Sequence, residues 1–332
     1  AVKYRRVHPS NIMAAYAGVD LGATNIRAVV GDESARELGS DTQATPRGPN
    51  GIAVTEAILE CLRNACDDAD VSPSSVVAAG IGSIGPLDLA EGIVEGPANL
   101  PDSIGRIPLT GPVGNLIDSE RVYLHNDTNA GVIGERFFSD RNPDDMVYLT
   151  ISSGIGAGVA VDGNVVDGWD GNAGEVGHMT LDPAGVMTCG CGSDGHWEAY
   201  CSGNNIPKYA MQLHAEDGME TALPVESGDF DAADVFDRAR DGDDFAQYVI
   251  GQVGHLNAIG IANVVQAYAP LVVYVGGAVA LNNPDAVLDP IRDELSEMVF
   301  GNIPDVKLTT LGEDIVVMGA LASAITDGTG ER

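Results

Sequence analysis

Two stretches of this 332-residue chain share one plan: an apolar strand, a glycine turn carrying hydroxyls or amides, and a second apolar strand. The first spans residues 16–30 around Asp20-Leu-Gly22-Ala23-Thr24-Asn25-Ile-Arg27, and the second joins residues 146–151 to 155–161 through Ser152-Ser153-Gly154. Short apolar runs on both sides of a glycine turn read as a β-hairpin. Two such hairpins roughly 130 residues apart, each followed by further strands and helices, predict an α/β protein of two similar lobes with a ligand cleft between them.

Other elements follow from periodicity. Helical spacing covers residues 51–69, 129–138, 245–269 and 316–326, and strands are predicted at 75–81, 122–124, 271–275 and 306–310. The expected division is a small α/β domain of residues 13–123 plus 316–329, and a large one of 124–315 bearing a loop at 171–203 rich in Gly, His and Cys. Residues 1–12, which hold Lys3, Arg5 and Arg6 ahead of Met13, are set aside as a tag or non-native extension.

Charge limits the partners. The chain has 32 Asp and 17 Glu against 14 Arg and 3 Lys, a net −32, so a nucleic-acid surface is excluded. Disorder is excluded too, because 44% hydrophobic and only 20% charged residues supply a core. Such a surface suits molar salt, where a Debye length of roughly 3 Å screens self-repulsion, and a halophilic source is expected. Five cysteines, an odd number, argue against a secreted disulfide framework. No run of about 18 apolar residues and no signal-peptide pattern occur, so a cytoplasmic protein without membrane contact is expected.

Several residue groups carry chemistry. The tip at Gly22, Thr24 and Asn25 offers backbone N–H groups to a phosphate, and Asp20 is placed to hold hydrated Mg²⁺; a hairpin turn with no ligand uses the same residues. Ser152, Ser153 and Gly154 repeat the arrangement, while Gly276 and Gly277 end a buried strand and admit a flat group such as adenine. In Leu124-His-Asn126-Asp127, an aspartate at a strand end can accept a proton from an attacking hydroxyl, although Asp127 or Thr128 would equally serve as the cap of the next helix. His178, Cys189, Cys191 and His196 supply a Cys₂His₂ set for Zn²⁺, with Cys201 a spare ligand and Cys61 and Cys66 assigned to the core; two buried thiols in a glycine-rich loop are the other reading.

Together, Asp20-x-Gly22-x-Thr24-x-x-Arg27, Asn126-Asp127-x-Asn129-Ala130, the turn at 150–158, Gly171-x-x-Gly174-Glu175-x-Gly177-His178 and Cys189-x-Cys191-Gly-x-x-Gly195-x-x-Glu198 resemble the ROK family of sugar kinases and repressors. The resemblance spans about residues 16–325. It implies a two-domain actin-like ATPase (ribonuclease H-like) fold, and ATP-dependent phosphorylation of a hexose at its 6-hydroxyl, glucose first. Asp127 matches the catalytic base. Asn99, Asn126, Glu175, His178 and Glu198 match sugar ligands, and Asp20 through Arg27, Ser152 through Gly154, Gly276 and Gly277 match the ATP side. His178, Cys189 and Cys191 match zinc ligands, and His196 stands where the family has a fourth cysteine. Homodimers or homotetramers fit the resemblance. N-acetylmannosamine, N-acetylglucosamine, fructose and mannose are the alternative sugars. A sugar-responsive repressor would need an N-terminal helix-turn-helix, for which 12 residues before Met13 give no room.

Overall fold

A computed structural model describes residues 14–97, 100–169 and 171–332. By packing, these form two units. The first runs to Asn142 and takes in Gly168–Gly171 and Asp314–Arg332, and the second is Pro143–Asp167 with Asn172–Glu313.

In the first unit, β1 (Ala15–Leu21), β2 (Asn25–Gly31) and β3 (Glu37–Ala44) form an antiparallel meander. Next come β4 (Val76–Ser83), a small antiparallel sheet of β5 (Leu87–Asp88), β6 (Ile93–Glu95) and β7 (Arg106–Pro108), and β8 (Val122–Asn126). Strands β4 and β8 extend the first sheet in parallel, in the order β3-β2-β1-β4-β8. Helix α1 (Gly51–Asp68), capped by Asn50, buries Val54, Ile58 and Leu62 against β2 and β3. Helices α2 (Thr110–Ile117) and α3 (Asp127–Phe138) flank β8.

The C-terminal helix, Ile315–Ile325, is apolar on every side, the pattern of a buried helix. It lies so close to the sheet that a Cβ on Gly80 would come 1.9 Å from the Ala320 carbonyl oxygen. Against α3 the approach is as tight, since a Cβ on Gly319 would be 1.8 Å from the Ala130 carbonyl. The division expected at 123/124 therefore does not coincide with packing. Residues 122–142 stay with the first unit, because β8 is hydrogen-bonded to β4 and α3 packs on the C-terminal helix.

The second unit repeats the plan. Strands β9 (Met146–Ile151), β10 (Ile155–Val161) and β11 (Asn164–Val165) are antiparallel, and β12 (Val272–Gly276) and β13 (Asp305–Leu308) add in parallel, giving β11-β10-β9-β12-β13. Strand for strand, this is the order of the first sheet. Around it lie α4 (Glu198–Cys201), α5 (Ile206–Asp217), α6 (Ala232–Arg240), α7 (Asp244–Tyr268), α8 (Ala278–Asn282) and α9 (Pro284–Met298). Trp197 is fully buried against Gly260 of α7 and donates its indole N–H to Asn257 Oδ1 at 2.8 Å. Among the described residues, no helix is long and apolar enough to cross a membrane.

Candidate active site and metal centre

At the first hairpin, the Gly22 N–H donates to the Asn25 carbonyl at 3.0 Å, closing the tip. Thr45 holds it from the side, its hydroxyl donating to the Gly22 carbonyl at 2.7 Å and its N–H to the Thr24 carbonyl at 2.8 Å. Thr24 and Asn25 are left exposed. Asp20, one residue before the strand ends, pairs across the ladder with Arg27, and Arg27 also meets Asp314 at 3.0 Å. Burial raises the Asp20 carboxyl to about 7; the Asp127 carboxylate adds to the rise and the Arg27 guanidinium opposes it.

Strand β8 delivers Asn126 and Asp127 to the start of α3. The cap is Asn126, whose Oδ1 accepts the Asn129 N–H at 2.6 Å and the Thr128 hydroxyl at 3.2 Å. This corrects the alternative that Asp127 or Thr128 caps the helix: α3 starts two residues earlier than its periodicity suggests, and Asp127 is its first residue. The Asp127 carboxylate is exposed and accepts the Thr128 N–H at 2.8 Å. Just before it, His125 is buried with Nε2 at 2.7 Å from Ser323 Oγ, and burial lowers its pKa to about 4, so it stays neutral.

In the second unit, the Ser152 N–H donates to the Gly154 carbonyl at 2.8 Å, and Ser153 is exposed at the hairpin tip. Glu198 reaches this tip, Oε2 accepting the Ile155 N–H at 2.9 Å. Gly276 and Gly277 are explained by packing of β12 on β9. A Cβ on Gly276 would be 2.6 Å from the Tyr148 hydroxyl, and Gly277, at φ +84°, would place one 2.5 Å from the Ile151 carbonyl.

The loop residues His178, Cys189, Cys191 and His196 converge, with their ligand atoms all within 4.8 Å of one another. Cys189 Sγ is 3.6 Å from His178 Nδ1, and Cys191 Sγ is 3.3 Å from His196 Nδ1. Tetrahedral Zn²⁺ bonds of roughly 2.0–2.3 Å set ligand separations of roughly 3.3–3.8 Å; the two Cys–His separations fall in that range, and the two thiols and two imidazoles are donors that suit the ion. The short Cys-x-Cys spacing works because 189–192 is a tight turn, closed by the Gly192 N–H on the Cys189 carbonyl at 2.9 Å, with Gly192 at φ +91°. The other imidazole nitrogen, His178 Nε2, lies 3.8 Å from Glu175 Oε2. Desolvation raises the Glu175 pKa, His178 opposes the rise and Glu198 adds to it.

Cys201 is not a spare ligand. It is fully buried, with its thiol on the Val253 carbonyl at 3.6 Å. Cys61 and Cys66 are buried on α1. Asn99 and residues 1–12 lie outside the described residues. Local sequence does not reveal the bond of Thr45 to Gly22 or of Glu198 to Ile155, since the partners are 23 and 43 residues away.

Residues 16–326 match the ROK family. A glucokinase of Pyrobaculum calidifontis is 34% identical over 312 residues, covering 94% of this chain and 95% of that protein. Among solved structures, a ROK hexokinase from Thermus thermophilus is 31% identical, covers 94% of this chain and 98% of its own, and superposes with a TM-score of 0.78. A ROK family glucokinase from Streptomyces griseus, in complex with glucose and AMPPNP, is 30% identical, covers 94% of this chain and 100% of its own, and gives a TM-score of 0.72.

Proposed function

The chain belongs to the ROK family, and on that premise we propose that it is an ATP-dependent sugar kinase transferring the γ-phosphoryl group to the 6-hydroxyl of glucose. Its fold is the two-domain actin-like ATPase fold, seen here as two α/β units with the same strand order. The observation that carries the mechanism is Asp127. The Asp127 carboxylate, on the first residue of α3 directly after β8, is exposed, with Oδ1 accepting the Thr128 N–H at 2.8 Å.

In this mechanism Asp127 takes the proton of the sugar 6-hydroxyl as its oxygen attacks the γ-phosphorus in line. The bond from that phosphorus to the bridging oxygen breaks, leaving ADP. Asn99, Asn126, Glu175, His178 and Glu198 hold the sugar. Asn126 gives its Oδ1 to the helix cap, which leaves the Nδ2 amide to donate to a sugar oxygen. Gly22, Ala23, Thr24 and Asn25, with Ser152, Ser153 and Gly154, face the phosphates, although the Gly22 and Ser152 N–H groups close their own hairpins and are not the donors, and Gly276 and Gly277 stand on the adenosine side. Asp20 would hold a hydrated Mg²⁺, which would offset phosphate charge, and Arg27 belongs to the ATP side.

His178 would serve two purposes through its two nitrogens: by Nδ1, with Cys189, Cys191 and His196, it would hold a structural Zn²⁺, while Nε2, 3.8 Å from Glu175 Oε2, would be left for the sugar. The ion, when bound, ties residues 178–196 into one rigid loop. The acidic surface supports a cytoplasmic, halophilic setting with no nucleic-acid or membrane partner, and a homodimer or homotetramer accords with the resemblance.

The test is a coupled ADP-release assay over a hexose panel in molar KCl, with Asp127→Asn alongside. Loss of about 10²–10⁴ in kcat with sugar binding retained is expected. Near-normal turnover by this variant would remove Asp127 as the base.

A further inference from the structure

The segment 198–203 grips the second hairpin at both arms. Glu198 Oε2 accepts the Ile155 N–H at 2.9 Å where β10 begins, and the Gly203 N–H donates to the Ser152 carbonyl at 2.7 Å where β9 has ended. The fit leaves no slack: a Cβ on Gly154 would stand 2.7 Å from the same Glu198 oxygen. The segment is itself fixed, since Asn205 Nδ2 donates to the Glu198 carbonyl at 3.1 Å and to Ser202 Oγ at 2.8 Å. A side chain assigned to the sugar therefore also holds a main-chain N–H of the phosphate loop.

We propose that Glu198 is a positioning residue for the nucleotide: its bond to Ile155 sets the conformation of residues 152–155, and with it the affinity for ATP when no sugar is bound. This rests on the reading that residues 152–154 face the phosphates. It separates two effects of opposite sign. As a bare negative charge near an anionic ligand, Glu198 weakens nucleotide binding, so its removal tightens it. As the acceptor that keeps the hairpin in its binding conformation, it strengthens binding, so its removal weakens it. One carboxylate shared by both sites also couples them, and the coupling is reciprocal: the factor by which sugar changes nucleotide affinity is the factor by which nucleotide changes sugar affinity.

The experiment is calorimetric titration of the full chain with Mg²⁺-AMPPNP in molar KCl, first without sugar, then with glucose. Glu198→Ala is expected to lose roughly tenfold in nucleotide affinity without sugar, the order set by one charge-assisted hydrogen bond that preorganises a loop. Glu198→Gln, whose amide oxygen can still accept the Ile155 N–H, is expected to recover nucleotide affinity to within about twofold while its glucose affinity stays impaired. Unchanged or tighter binding by Glu198→Ala, or a Glu198→Gln as weak as the alanine variant, would overturn the inference. Failure of the parent chain to bind Mg²⁺-AMPPNP would instead overturn the ATP reading beneath it. Far-UV circular dichroism of each variant confirms that folded proteins are compared.

Discussion

Replacing Asp20 by Asn isolates the cost of keeping a charged carboxylate between burial and Asp127. Its pKa rises from 3.8 to about 7, so the folded chain holds the proton more tightly than the unfolded chain does. Stability from this group is complete below the unfolded value, and it drains away as pH rises to about 7. At 1.36 kcal/mol per unit the whole loss is about 4 kcal/mol, an upper figure for a group that water partly reaches. Between about pH 5.5 and about pH 8.5 the part still to be lost is about 2 kcal/mol.

Asparagine does not ionise. The variant should therefore gain on the parent by about 2 kcal/mol over that interval, whatever the other groups do, since they are common to both proteins. Urea unfolding followed by far-UV circular dichroism, in molar KCl without Mg²⁺, measures the gap directly. A gap of the same size at both pH values would refute the argument. The variant that is more stable at high pH should also be the poorer kinase, because the carboxylate that is costly in the empty protein is the one proposed to face Mg²⁺. Such a trade between stability and activity marks a functional site.

Three further outcomes are expected. Protein dialysed to constant metal content should retain about one zinc per chain, and Cys191→Ser should lose it; a fully active zinc-free protein would remove the metal from the description. The KM for ATP should fall as KCl rises from ~0.1 M to several molar, because a chain of net charge −32 repels the nucleotide until salt screens it. A flat or rising KM in folded protein would count against that. Gly80→Ala should destabilise the first unit by about 1–3 kcal/mol or more, since the added methyl meets the Ala320 carbonyl at 1.9 Å, and the melting temperature reports it.

Strands flanked by glycine turns were the most legible part of the fold. Residues 146–151 and 155–161 are strands with the bounds their apolar runs indicate, and α7 follows its long helical period to within a residue at each end. Strand β3 was not legible: its sequence, ELGSDTQA, has little apolar character because it lies at a sheet edge. The two- and three-residue strands β5, β6 and β7 are too short to show a period. The place of β8 in the first sheet depends on pairing with β4, some 40 residues earlier, which local patterning does not report. At the site, residue types and spacing singled out Asp127 and the metal set. That Asn126 rather than Asp127 caps α3 needed the backbone, as did the reach of Glu198 to Ile155.

The placing of the chain's two tryptophans decides what fluorescence can see. Trp197 is sealed in the core of the second unit, while Trp169 is 96% exposed. On unfolding, Trp169 meets much the same water as before, so the red shift of emission comes almost wholly from Trp197. A fluorescence melt of this protein is therefore a melt of the second unit. Where the two units unfold separately, changes at Asp20 or Gly80, both in the first unit, would pass through it nearly unseen. Where the fluorescence and circular dichroism transitions separate, the interval between them measures how independently the two units unfold.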